Sequence, residues 1–474
     1  MKKILKLSVV MLVVVFVACT KQLNLNPKSS LNTTEALSTL AGVNSAVVGM
    51  YSSLQSVNYY GRSLYVYGDL SADDVYLSVA NSNRYLSTFQ RTYASNDADA
   101  LAIWTSIYVS IARANNIINS VDKVSGDQGA KDLAKGQALF IRALGYFDLV
   151  RLYAKPYNQG NGAQLGVPVV LVSDVTLYPA RNTVSEVYDR IISDLTAAKG
   201  LLASTTAATK VTASKFAASA LLSRVYLYKG DYANTIAEAN TVIANTDFKV
   251  TAAADLPTFY SAPGTPEEIF TVNFNVIESQ GSDNLGQIYL KPGYGDIRVS
   301  PNLTAIFDKT NDVRYTSFIA PFAGSPSELE NKKFAGQSGI QGLYSTKVLR
   351  LSEIILNRAE AENKIGGQDA QALADLNSIK TNRGLTALSG VTGAPLLTEI
   401  LSERRREFMF EGQRFFDLMR NGLTMDRGAF CTSPLAVSSP QCSLVATDPK
   451  TILPIPQAEL DANPAIKPQQ NPGY

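Results

Sequence analysis

The 474-residue chain contains no histidine at all. That removes Ser-His-Asp and Cys-His catalysis, histidine-based zinc sites and the usual general base at neutral pH. It has one tryptophan and three cysteines. Trp104 lies in the apolar helical run AIWTSIYVSI and reads as core, so an aromatic binding platform has to rest on tyrosine. No Walker-A pattern and no CxxC pair occur. GNGAQLG at 160–166 only mimics a dinucleotide loop, with its third glycine displaced by one and no strand pattern before it. Neither a cofactor nor a metal is expected. Beyond residue 18 no run is long and apolar enough to span a bilayer. Charge of one sign is also missing. Setting aside Lys2, Lys3 and Lys6 leaves 40 basic against 41 acidic residues, so bulk charge attracts no nucleic acid.

Residues 1–18 read as a signal peptide: a basic start, then the 12-residue apolar run LSVVMLVVVFVA at 7–18. Ala18-Cys19 resembles the lipobox of bacterial lipoproteins, although Phe16 stands where an aliphatic residue is usual. The resemblance implies that Cys19 becomes the first mature residue and carries the lipid; the alternative is a plain secretory signal with an incidental cysteine. Cys431 and Cys442 remain, in the Ser/Pro-rich segment CTSPLAVSSPQC. In an exported chain one disulfide is the expectation, contributing roughly 2–3 kcal/mol on the chain-entropy account. The alternative is two free thiols.

Most of the rest has helical periodicity, over 34–56, 99–123, 130–153, 184–202, 213–229, 232–245, 350–365, 369–382 and 396–421. GDYANTIAEAN at 230–240 aligns with GQDAQALADLN at 367–377, matching Gly230 to Gly367, Ala237 to Ala374 and Asn240 to Asn377. Small residues at these offsets suit closely packed helix pairs, the logic of tetratricopeptide-like repeats. The fold class is therefore mainly α: a tetratricopeptide-like helix-pair scaffold with long irregular loops and a few short strands, one of them in EEIFTVNFN at 267–275. Arg142, Arg151, Arg224 and Arg358 sit in apolar helices and read as bridges to acidic partners such as Glu360 or Glu411.

The most informative stretch is ILSERRREFMFEGQRFFDLMRNG, 400–422. Glu403, Glu407 and Glu411 repeat every four residues, which an exposed helix disfavours unless arginines pair with them. A half-buried helix with charges tied to its neighbours is expected, ending at Gly422. ERRREFMFEGQRFFDLMRNG resembles the C-terminal signature of the SusD/RagB family of nutrient-binding outer-membrane lipoproteins. ALFIRALGYFDLVRLYAKPY at 138–157, GVPVV at 166–170, VLRLSEIILNRAEAE at 348–362 and the ending ILPIPQAELDANPAIKPQQNPGY at 452–474 are similar to that family too, in its order. The resemblance implies one SusD-like domain over 19–474, with an N-terminal part at 19–230 and a C-terminal part at 265–474. It further implies an outer-membrane protein, lipid-anchored and facing the cell exterior. Such a protein captures an oligosaccharide, or in some members a peptide, as the lid of a SusC-like TonB-dependent transporter. No catalysis is expected. A helical-repeat glycosidase using Asp73-Asp74 or Glu267-Glu268 and a structural helical adaptor are the competing readings.

The binding site should lie in non-helical insertions. Residues 51–100 hold eight of the 23 tyrosines, where an even spread would give between two and three; residues 278–301 are glycine-rich and aperiodic. Tyr76 and Tyr85 lie around the polar turn ANSNR, and Tyr289 and Tyr294 flank Pro292-Gly293. These four are the expected exposed platforms, with Asp73, Asn81 and Arg298 as hydrogen-bonding neighbours.

Overall fold

Why the helices start and stop where they do is written in their caps. The structure, a computed structural model, describes residues 32–174, 176–291 and 293–474. The signal peptide and Cys19 lie outside the described residues. The long helices are α1 (Leu40–Leu54), α2 (Ser63–Leu70), α3 (Ala98–Val121), α4 (Gln128–Tyr153), α5 (Val184–Leu201), α6 (Lys215–Lys229), α7 (Tyr232–Ile243), α8 (Leu351–Ile365), α9 (Asp369–Thr381), α10 (Gly393–Glu407) and α11 (Arg414–Arg420). Asp97, Asp127 and Ser214 each accept a first-turn N–H of the helix that follows. Thr183 and Glu186 close a capping box on α5. Gly230 (φ +83°) and Gly366–Gly367 (φ +83° and +74°) turn the chain between α6 and α7 and between α8 and α9, a left-handed geometry that glycine adopts without a Cβ penalty.

Along the stack α3 lies on α1, α4 on α3, and so on to α7. Although residues 244–350 intervene, α7 then packs on α8, which carries α9 and α10. The aligned pairs α6–α7 and α8–α9 are thus adjacent repeats of one scaffold, as expected from the sequence. The intervening chain and the segment between α1 and α3 form the loop layer. It contains β1 (Val75–Leu77), β2 (Glu268–Val272), β3 (Ile297–Val299), β4 (Ile319–Phe322), β5 (Ser325–Asn331) and β6 (Thr346–Arg350), with β7 (Met425–Asp426) and β8 (Ser443–Leu444) near the end. They pair antiparallel as β1–β3, β2–β6, β4–β5 and β7–β8.

The stretch 400–422 departs from expectation in one respect: it is two helices, not one. Between α10 and α11 the chain turns through Phe410 and Gly412, both at positive φ. Gly412 meets α2 there. A Cβ added to Gly68 would lie 2.0 Å from the Gly412 carbonyl oxygen, so both backbones need glycine to approach. Asp69 Oδ1 accepts the Gly412 N–H at 2.9 Å.

The charges of this stretch are buried and paired. Glu407 receives Arg350 at 2.5 Å, Arg383 at 2.7 Å and Arg314 at 2.9 Å. Glu403 takes Arg314 and Arg406, and Glu411 takes Arg350 and Lys333. A second set joins Arg404, Asp417, Arg420 and Glu360. Three of the helix arginines bridge helices as expected, but to different acids: Arg142 to Asp194, Arg224 to Glu353 and Arg358 to Asp375; Arg151 instead pairs with Asp148 one turn back on its own helix. Bidentate forks tolerate burial where isolated charges do not, which is why arginine dominates these positions. Trp104 is buried against Tyr108 and Tyr153.

Candidate functional site

The two segments singled out in the sequence are hydrogen-bonded to each other. β1 and β3 pair so that Tyr76 faces Arg298 directly. Strand β5 lies beside β3. On the outer edge of β1, Val437 N–H donates to Leu77 O at 2.8 Å and Val79 N–H to Leu435 O at 3.0 Å. Those partners belong to the loop closed by Cys431 and Cys442, which are disulfide-bonded with Cα atoms 5.4 Å apart. The bridge thus holds the loop that braces β1.

Burial corrects the expectation that four tyrosines are exposed. Tyr76 donates to Glu328 at 2.9 Å and packs on Phe430 with ring centroids 4.5 Å apart. Tyr85 accepts from Arg62 Nε at 2.9 Å. Tyr289 is 1% exposed and donates to Asp69 at 2.5 Å. Burial pushes the Asp69 carboxyl up to about 8, against the opposing hydrogen bonds from Tyr289 and Gly412. Each hydroxyl has found a partner outside its own turn, so these rings tie separate parts of the loop layer to one another. Asp73 is likewise buried, gripped by Arg414 at 2.9 Å, and Arg298 lies 3.2 Å over the Phe322 ring beside Glu328. The paired carboxylates weighed for hydrolysis are also occupied: Asp74 by Arg405, Glu267 by Arg350, Glu268 by Lys347.

Tyr294 is different. It is half-buried, in the stretch that leads from the short 3-10 turn Leu285–Ile288 into β3. Its hydroxyl donates to Asp283 Oδ1 at 3.1 Å, and Arg62 donates to the same oxygen at 2.8 Å. That hydrogen bond from Arg62 leads the causes holding Asp283 below the ordinary carboxylate range. Arg84 stacks on the Tyr294 ring, 3.7 Å from its centroid, and donates to Ser82 Oγ at 2.7 Å. Lys291 donates to the Tyr294 carbonyl at 3.0 Å. Asn81 is half-buried and shapes the turn, accepting Asn83 N–H at 2.7 Å and donating to Ser78 O at 2.6 Å. Asn83 and Tyr85 hold left-handed backbone, at φ +64° and +56°, which turns Arg84 towards Tyr294. Ser82 is anchored from below by Asp296. Of the expected site residues, then, Tyr294 and Asn81 meet solvent, and the others form their support. Arg84, Lys291, Asp283 and Arg62 were not anticipated. All four lie inside the segments already singled out, Arg62 and Arg84 in 51–100 and Asp283 and Lys291 in 278–301.

An aromatic ring flanked by polar groups, presented by irregular loops on a helical stack, is an arrangement of the binding-protein class. Comparison with known proteins gives that class its family. Residues 21–227 match a family described as starch-binding and associating with the outer membrane, and residues 318–474 match the SusD family. A SusD superfamily protein from Bacteroides thetaiotaomicron is 30% identical, with a TM-score of 0.84, covering 92% of this chain and 100% of its own. A putative sugar binding protein from Bacteroides vulgatus is 31% identical, with a TM-score of 0.83, covering 94% and 100%. SusD-like protein P2 of Formosa agariphila is 27% identical across 99% of both chains. The chain belongs to the SusD family.

Proposed function

We propose that this protein is a lipid-anchored outer-membrane protein, facing the cell exterior, that binds an oligosaccharide and passes it to a SusC-like TonB-dependent transporter as its lid, making and breaking no bond. The observation that carries the reading is the half-exposed Tyr294 among Arg84, Asp283, Asn81 and Lys291. A flat ring with nearby donors and acceptors suits a sugar's apolar face and its hydroxyls. Family membership and the sugar-binding relative support it. No helix of the described residues is long and apolar enough to cross a membrane, so attachment is assigned to acylated Cys19.

The test is fractionation of cells making the tagged full-length chain. The parent is expected in the outer-membrane fraction and to co-purify with a TonB-dependent barrel; Cys19→Ser is expected to lose essentially all membrane attachment. A Cys19→Ser variant that still partitions with the membrane by itself, or a parent that brings down no barrel, contradicts the reading.

A further inference from the structure

Resting on that reading of the Tyr294 face, we infer that its ligand is an anionic glycan, one bearing carboxylate or sulfate groups, rather than a neutral one. The argument is a local charge inventory. Two cations reach solvent beside the ring: Arg84 on its face and Lys291 at its backbone. Among the described residues neither has a carboxylate within 4.0 Å, whereas Arg62 pairs with Asp283 and Arg298 faces Glu328. The undescribed residues contain no Asp or Glu, so they supply no hidden partner.

The acids of this region are committed elsewhere. Asp283 is held by Arg62 and the Tyr294 hydroxyl, and buried Asp296 accepts from Ser82. Glu328 accepts from Tyr76, and Glu330 is buried in β5. A ligand on this face meets Arg84 and Lys291, neither with a carboxylate in direct contact among the described residues, beside Asp283, whose charge also acts on Arg84 but whose hydrogen bonds are taken by Arg62 and Tyr294.

Arg84 is also pre-oriented. One face of its guanidinium lies on the Tyr294 ring, and one N–H is spent on Ser82. Its remaining N–H groups form a planar edge that matches a carboxylate or sulfate with two parallel hydrogen bonds. A neutral sugar would leave that fork and the Lys291 ammonium without a counter-charge.

The experiment is a glycan array carrying neutral chains (malto-, xylo- and galacto-oligosaccharides) and anionic ones (oligogalacturonates, oligoalginates, sulfated galactans), probed with the mature protein. Calorimetric titration of the strongest binder against the parent, Arg84→Gln/Lys291→Gln and Tyr294→Ala follows. The strongest binders are expected among the anionic chains. The double variant should bind them roughly 10–100-fold more weakly, the loss of charge-assisted hydrogen bonds, with an unchanged melting temperature. Parent binding should also weaken as salt is raised. Binding confined to neutral chains, binding unaffected by the double variant, or no binding to any anionic chain overturns the inference. The two readings separate cleanly. If Tyr294→Ala weakens binding and the double variant does not, only the charge assignment fails; if neither variant matters, the site itself is misplaced.

Discussion

Replacing Glu407 by alanine is expected to destabilise the fold by about 3–5 kcal/mol. Three arginines from three parts of the chain converge on this one carboxylate: Arg314 beside β4, Arg350 at the end of β6, and Arg383 after α9. All four side chains are buried. Removing the carboxylate leaves three guanidiniums without their shared counter-charge, and truncating one partner of a buried pair typically costs about 3–5 kcal/mol. A domain's entire margin is about 5–15 kcal/mol. Arg350 and Arg314 retain Glu411, Glu267, Glu403 and Asp312, so the loss falls most heavily on Arg383, whose other acid is Glu267 at 3.5 Å. Urea unfolding and thermal melts followed by circular dichroism give the readout. Glu407→Gln, which keeps shape and acceptor but not charge, should fall between parent and alanine. Melting of Glu407→Ala within a degree or two of the parent would show that the network contributes nothing.

Acid should unfold the protein cooperatively for the same reason. At Glu407, Glu403, Glu411, Glu360 and Asp417 burial opposes ionisation, yet the surrounding arginines and lysines outweigh it and hold each carboxyl below its ordinary value. A depressed folded-state value means that the unfolded chain binds protons first. The stabilisation is therefore complete above the ordinary carboxylate range near pH 4 and is lost as pH falls through it towards the depressed values. Asp69 and Glu362, raised by burial to about 8 and about 7, act in the opposite sense and lose their contribution as pH rises through those values. Five carboxylates held down against two held up predict a stability profile that declines gently from about pH 4 to about pH 8 and collapses below pH 4. Melts at half-unit steps from pH 9 to pH 3 check it; a flat profile between pH 5 and pH 3 contradicts it.

The helical scaffold was legible because its signals are local. Caps such as Asp97, Asp127 and Thr183, and stops such as Gly230 and Gly367, lie within a few residues of the boundaries they set. Two features escaped for the opposite reason. The break between α10 and α11 is imposed by the contact of Gly412 with Gly68, far away in the chain. Helix α2, SLYVYGDL, is buried on every side, so it has no polar face and no readable period. The loop layer divides the same way. Tyrosine excess and glycine content marked the two segments that meet at β1 and β3, but not which rings face outward. That depends on Glu328, Asp69 and Arg62 finding hydroxyls remote in sequence, and composition does not encode such pairings.

The account stands most directly on calorimetric titration of the parent and Tyr294→Ala with the strongest oligosaccharide binder from the array. Loss of a central aromatic contact should weaken binding by about 1–3 kcal/mol, while the melting temperature stays that of the parent, because a half-exposed loop ring contributes little to the core. Equal affinity in the two proteins, or loss of binding only through loss of folding, would contradict the placement of the ligand on this face.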